Sequence, residues 1–166
     1  MMAASSILLI VADDLPRNML GSYGAPHGLT PNMDGIGRSG VVFENAFTTS
    51  PLCTPSRYSL LTGRYASSAP LVARGQGNGG VRPIKFNVWL DGQANATIAG
   101  QLRRRGYRCG FAGKWHVSGS SEGESPGAAE LSQREQQETV RRDGGFDHSD
   151  DVYLGNEDLD AYAHQV

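Results

Sequence analysis

Ile7-Leu8-Leu9-Ile10-Val11-Ala12 is an unbroken aliphatic run that stops at Asp13-Asp14. It lacks the alternation of a strand with one wet face, so it predicts a strand buried on both faces of a parallel sheet. Gly21 to Leu29 is turn-rich. Thr30-Pro31 then predicts an N-capped helix with proline in its first turn, Met33 and Ile36 as a short apolar face and Gly40 as the stop. Val41 to Phe47 resumes strand character. A second helix is predicted to begin around Pro55, bury Leu60 and Leu61 and close at Gly63. Residues 66–91 have little periodicity and hold Gly75-Gln76-Gly77-Asn78-Gly79-Gly80, which predicts a long Gly-rich loop of the kind that often lines sites. Thr97 predicts the cap of a helix through Arg105, with Ile98, Ala99 and Leu102 inward and Gly106 as its end, before a strand from Tyr107 to Ala112. Strands and helices in alternation indicate an α/β layer fold with a mostly parallel sheet.

Residues 118–142 turn polar. Ser132-Gln133-Arg134-Glu135 has the capping-box pattern and opens a helix that reads as polar all round, so a solvated insert is expected. After Gly144 the chain is acidic, with Asp147, Asp150, Asp151, Glu157, Asp158 and Asp160, and no internal repeat is visible. The 166 residues suit one domain with a real core. Fifteen basic against 17 acidic residues leave a net charge of −2, which supplies no global field for nucleic acid or an anionic membrane. Cys53 and Cys109 are too few for a disulfide scaffold or a structural zinc site. The run from Ile7 is shorter than a secretory h-region and no basic residue precedes it, so no signal peptide is expected. No apolar stretch approaches the length of a bilayer span, and a soluble chain is expected.

Three places bring reactive side chains to the ends of predicted elements, where open α/β sheets put their ligands. Asp13 and Asp14 leave the first strand at its carboxyl end. Adjacent carboxylates repel unless a cation or an arginine sits between them, and hard oxygens suit Ca²⁺ or Mg²⁺; a solvated Asp turn is the plain alternative. Cys53 in Pro51-Leu52-Cys53-Thr54-Pro55-Ser56-Arg57 lies at a helix start, where free N–H groups favour developing negative charge, with Arg57 one turn later. A small buried thiol is the alternative there. Lys114 and His116 in Gly113-Lys114-Trp115-His116 would leave one face of an extended segment, facing one ligand with a cation and a general acid or base. An ordinary surface lysine and a locally satisfied histidine are the alternative.

Cys53-Thr54-Pro55-Ser56-Arg57 with Leu60-Leu61-Thr62-Gly63-Arg64 resembles the principal sulfatase signature, and Gly106-Tyr107 through Gly113-Lys114-Trp115-His116 resembles the second. Leu9 to Asp14, Thr30-Pro31-Asn32-Met33-Asp34 and Gly145-Phe146-Asp147 also resemble segments that flank those signatures. Cys109 departs from the usual Ser or Thr, a change expected to touch packing only, and Val117-Ser118 replaces the usual Leu-Gly. The resemblance implies an alkaline phosphatase-like α/β/α sandwich, represented over 1–166 by the N-terminal part of the catalytic domain. It also implies a second metal pair, a further His and a further Lys downstream, and nothing after Gly155 resembles them. The expectation is thus a chain with half of the metal site and negligible turnover by itself.

The same resemblance implies hydrolysis of a small-molecule or glycan sulfate ester with release of inorganic sulfate. Cys53 would be converted to formylglycine by the formylglycine-generating enzyme, which reads Cys53-x-Pro55-x-Arg57. One hydroxyl of the hydrated aldehyde attacks sulfur, and the other, on losing its proton, expels sulfate. Asp13 and Asp14 would hold one Ca²⁺ against residue 53 and a sulfate oxygen. Arg57 would stabilise the hydrate, Lys114 would bind sulfate, and His116 would take the proton during elimination. Phosphonate and phosphate ester hydrolases of the same superfamily use the same motif, and a truncated, inactive fragment is a further alternative. A receiver module fails because no Asp lies between Asp34 and Asp91 where its phosphoacceptor belongs. A haloacid-dehalogenase phosphatase fails because Leu15 and Pro16 follow the acidic pair, and the Cys53 to Arg57 spacing is too short for a cysteine phosphatase loop.

Overall fold

The computed structural model describes residues 5–26, 30–69, 90, 93–117 and 132–153. Packing divides the chain into Met1–Phe47 and Thr48–Val166.

In the first unit the expected strands are absent among the described residues. Residues 5–12 and 40–48 form no ladder, and the apolar run is exposed, with Leu8 at 85% and Ile10 at 71%. Val41, Val42, Phe43 and Phe47 are exposed as well. A strand is held by its neighbour's backbone hydrogen bonds, and no described segment pairs its backbone in a ladder with either run. What does form is helix α1, Pro31–Ser39, closed at Gly40 as expected. Its Met33 and Ile36 are exposed, not an inward face. Asp34 organises this unit instead. Its Oδ1 accepts from the Ser22 N–H at 2.8 Å, the Ser22 hydroxyl at 3.0 Å and the Thr30 hydroxyl at 3.1 Å. Thr30 Oγ1 in turn accepts from the Gly21 N–H at 2.9 Å. Thr30 therefore spends its oxygen on the preceding turn and caps no N–H of its own helix. Burial pushes the Asp34 carboxyl up, but the bonds from Ser22 and Thr30 and the charge of Arg38 together hold it below its usual value.

The second unit contains helices α2, Cys53–Thr62, α3, Ile98–Arg103, and α4, Gln133–Gly144, with parallel strands β1, Gly110–Lys114, and β2, His148–Tyr153. Helix α2 starts two residues before Pro55. It buries Leu61 but leaves Leu60 exposed, and it stops where Gly63 takes the left-handed φ of 68°. Thr97 caps α3 by accepting from the Gly100 N–H at 3.0 Å, and Ala99 is buried while Ile98 is not. The helix is shorter than expected, and β1 begins at Gly110 and runs through Lys114. Residues 70–89 and 118–131, which hold most of the expected loop and insert, lie outside the described residues, as does the acidic stretch after residue 153.

Helix α4 departs from the expectation of a wholly solvated insert. Its capping box at Ser132 and Glu135 is formed. Gln136, Val140, Asp143 and Gly144 are nevertheless buried at helical spacing. Only one of the four is a large apolar residue, so the buried stripe has almost no hydropathy signature. Strand β2 was not expected from so acidic a segment. It forms because its backbone pairs with β1 while Ser149 and Val152 turn inward. The Ser149 hydroxyl donates to Gln137 O at 2.8 Å and Gln133 Nε2 to Val152 O at 2.9 Å, fastening α4 to β2. Ala112 pairs with Asp150 but Gly113 with Val152, so Asp151 is an extra, bulged residue with φ 46°. His148 and Asp150 face outward by ordinary alternation, and the bulge resets it so that Asp151 also stays outside while Val152 turns inward.

The core of this unit joins Tyr58, Leu61, Leu90, Trp115, Val117, Val140 and Val152. Trp115 packs edge-on against Phe111 and Phe146, with ring centroids 5.2 Å and 6.2 Å away. A Cβ at Gly144 would sit 2.5 Å from the Trp115 ring and 2.8 Å from Phe146. Gly144→Ala is therefore expected to destabilise the full-length protein by about 1–3 kcal/mol through overpacking. Gly110→Ala is the control, since a Cβ there meets nothing within 4 Å. Urea unfolding midpoints check this, and equal midpoints for the two variants would contradict the packing account.

Candidate functional site

Cys53 is the first residue of α2 and is half-buried. Leu52 precedes it in extended conformation, and the helix ladder begins with the Ser56 N–H on Leu52 O at 3.1 Å. The N–H groups before Ser56 thus have no acceptor within the helix, and Pro55 carries none. Thr48 and Ser56 share a hydroxyl hydrogen bond of 2.8 Å that ties the approach to the first turn. Thr54, Pro55 and Tyr58 are buried on the opposite side, which fixes the helix against the core.

Arg57, one turn after Cys53, donates from Nη1 to the backbone carbonyl of Lys114 at 2.7 Å. That bond joins residues 57 apart in sequence and brings the two expected motifs together. Lys114 ends β1 and is 5% exposed. Trp115 and Val117 on either side of His116 are fully buried, and Val117 O accepts from the Leu90 N–H at 3.0 Å. The segment is not a regular extended run. Gly113 has φ 98° beside the bulge and His116 has φ 55°, so the simple alternation that would align Lys114 with His116 stops at the strand end. A non-glycine residue in the left-handed region is costly and persists only where its neighbours over-determine it. Here the anchored neighbours are Trp115 and Val117.

Asp13 and Asp14 occupy a turn in the first unit, both exposed, with Asp14 at φ 52°. Their oxygens are hard donors of the kind Ca²⁺ takes, a cation that needs six to eight ligands. Among the described residues no group of three or more His, Cys, Asp or Glu side chains gathers around a common point. The donor type therefore fits, and the described residues do not complete a cage.

Sequence reasoning missed the role of Asp147, although Gly145-Phe146-Asp147 had stood out. Its Oδ2 accepts from the Cys109 N–H at 2.8 Å and its Oδ1 meets Arg103 Nε at 2.9 Å. Its own N–H returns to Cys109 O at 2.8 Å. The carboxylate thus sets the point where α3, the approach to β1 and the approach to β2 meet. Thr97 adds a buried bond to Gly144 O at 2.6 Å. Cys109 fills the position expected to be a packing change: the thiol is buried and donates to Ala99 O at 3.6 Å. Burial, helped by the Asp147 charge, pushes that thiol up.

A profile of the sulfatase family matches residues 5–162. Bovine arylsulfatase A is 42% identical over 119 residues, covering 71% of this chain and 22% of the relative. The N-acetylgalactosamine-6-O-sulfatase of Bacteroides thetaiotaomicron is 40% identical over 112 residues, 68% of this chain and 20% of the relative. The crystal structure of Ps i-CgsB superposes with a TM-score of 0.60 at 29% identity, over 94% of this chain and 31% of that one. The chain belongs to the sulfatase family, and its fold class is the alkaline phosphatase-like α/β arrangement expected. It spans about a fifth of the length of the curated relatives it matches.

The Cys109 N–H holds the Asp147 carboxyl below its ordinary value of 3.8, with Arg103, His148 and Arg108 adding to this against the opposing effect of burial. A lowered carboxyl stabilises the fold above its unfolded value and loses that contribution as pH falls through the lower folded value. Asp147→Asn is therefore expected to lower the melting temperature of the full-length protein at neutral pH. The deficit should shrink as the pH drops below the ordinary value of 3.8. A deficit of constant size across that range would contradict the role given to the charge.

Proposed function

We propose that this sulfatase-family protein hydrolyses a sulfate ester of a small molecule or glycan, releasing inorganic sulfate, with Cys53 as the residue that matures to formylglycine. One observation carries the reading: the Arg57 guanidinium bound to the Lys114 carbonyl at 2.7 Å, which sets the Cys53 helix beside the Lys114 to His116 segment. Support for the substrate class comes from relatives named as arylsulfatase A, steryl-sulfatase and N-acetylgalactosamine-6-O-sulfatase. Ps i-CgsB has also been solved with a neocarrahexaose.

The roles follow from the chemistry of each group. Formylglycine supplies a hydrated aldehyde, whose paired hydroxyls allow attack on sulfur and later release of sulfate, where a plain thiol or serine would stay trapped as an adduct. Placement at the start of α2 exposes that position to N–H groups and the positive end of the helix, which favour negative charge there. Arg57 fixes its fork on the Lys114 carbonyl and contributes a permanent positive charge one turn from residue 53. Lys114, buried at the strand end, binds the sulfate group and opposes the charge that grows on its oxygens. His116 accepts a proton in the step that frees sulfate, and its backbone is fixed by the buried Trp115 and Val117. Asp13 and Asp14 would supply oxygen ligands to one Ca²⁺, which would serve as a Lewis acid toward the sulfate ester. The formylglycine-generating enzyme is the maturation partner. Residues 1–166 are the N-terminal part of the catalytic domain in this reading.

In a host with the maturation system, mass spectrometry of the peptide bearing residue 53 is expected to find the aldehyde in place of the thiol. Finding only cysteine there would sink the formylglycine assignment. In the full-length enzyme Lys114→Ala is expected to lower kcat on an aryl sulfate by about 10²–10³, the size usual for removing one group that stabilises transition-state charge. An unchanged kcat would remove Lys114 from the site.

A further inference from the structure

We infer that an open cleft beside α3 docks the anionic groups of a sulfated polysaccharide, away from the Cys53 site. The cleft is about 300 Å³ and is lined by Ala94, Asn95, Gly100, Arg103, Arg104 and Gly145. None of these residues belongs to the site formed by Cys53, Arg57, Lys114 and His116. Gly100, Arg103 and Arg104 stand at i, i+3 and i+4, so one side of the helix end forms a wall of the cleft. Close backbone approaches shape its floor: a Cβ at Gly100 would collide with Ala94 O, and one at Gly145 would lie 2.8 Å from the same atom. The volume is at the low end of small-ligand sites, the scale of one sugar residue.

Charge decides the ligand. Arg103, Arg104, Arg105 and Arg108 crowd six positions of a chain whose net charge is −2. Arg103 is neutralised by Asp147 at 2.9 Å and also donates to Gly145 O at 3.3 Å. Arg108 is engaged with His148 at 2.7 Å. Farther along, Arg141 meets Glu138 and Arg142 meets Asp143. Arg104 and Arg105 are exposed and form no ion pair among the described residues. The main-chain carbonyls of Ala94, Asn95 and Gly145 already accept bonds from Thr97, Gln101 and Arg103. What the cleft still offers is cationic donors, and a guanidinium matches the planar spread of sulfate or carboxylate oxygens. Arg105 supplies a second charge to a polymer that continues past the cleft. The lining has no aromatic ring on which a nucleobase could stack, which disfavours single-stranded nucleic acid. It also has no large apolar side chain to enter a membrane. The choice of a sulfated partner rests on the sulfate-ester reading above; the cationic cleft does not.

The test uses the full-length protein and labelled dextran sulfate, with neutral dextran, single-stranded DNA and phosphatidylserine vesicles as comparators. The expected result is binding to dextran sulfate that weakens with salt and falls by about tenfold or more in the Arg104→Glu, Arg105→Glu double variant. Aryl sulfate turnover should stay unchanged in that variant, which also shows that it has folded. Cys53→Ala should bind dextran sulfate as the wild type does. Equal binding by the double variant and the wild type would overturn the docking site, as would equal or tighter binding to DNA or vesicles. A wild-type protein that shows the arginine-dependent binding but no sulfate release would leave the docking site standing and sink the hydrolase reading.

Discussion

The second unit depends on the close fit of the Trp115 ring over Gly144. The residue at the end of α4 has no side chain because an indole and the Phe146 ring occupy the space a Cβ would need. That contact fixes α4 on the two strands, and Val140 and Val152 extend it into the core. A large aromatic wedge of this kind contributes more to position than its neighbours because it has few rotamers and much surface to bury. Removing it would release the segment on which Lys114 and His116 sit.

From that packing the site follows in order. Trp115 is buried, so the flanking Lys114 and His116 are carried at a defined height above the core. The bulge at Asp151 and the left-handed backbone of Gly113 and His116 end the strand sharply. Arg57 then reads the result through the Lys114 carbonyl and aligns the start of α2. On the other side, Asp147 joins Arg103 to the Cys109 backbone, so the same strand is anchored at both ends. The solvent-open ion pair of Arg103 and Asp147 defines position more than it adds stability, and the stabilising contact of the Asp147 carboxylate is the bond from the Cys109 N–H.

The local signals were legible in the sequence. Gly63, Gly40, Thr97 and the Ser132 box stop or start helices where backbone chemistry says they should. Cys53, Arg57, Lys114 and His116 stood out because reactive groups occurred at element ends, and the structure unites Arg57 with Lys114. Non-local effects were not legible. The Ile7 run reads as a buried strand because hydropathy reports what a segment could bury and says nothing about whether a partner strand lies beside it. The reverse error occurs at β2, where His148-Ser149-Asp150-Asp151-Val152-Tyr153 looks like a solvated tail. A bulge and two inward residues make it a strand. In α4 the buried positions are Gln136, Asp143 and Gly144 beside one valine, a stripe that hydropathy does not distinguish from a wet face.

The central claim is that residue 53 is the group on which sulfate ester hydrolysis turns. Inorganic sulfate released from an aryl sulfate by the matured full-length protein, compared with its Cys53→Ala variant, addresses it most directly. The account predicts steady release by the wild type and none above background by the variant. Equal release by both proteins would contradict it.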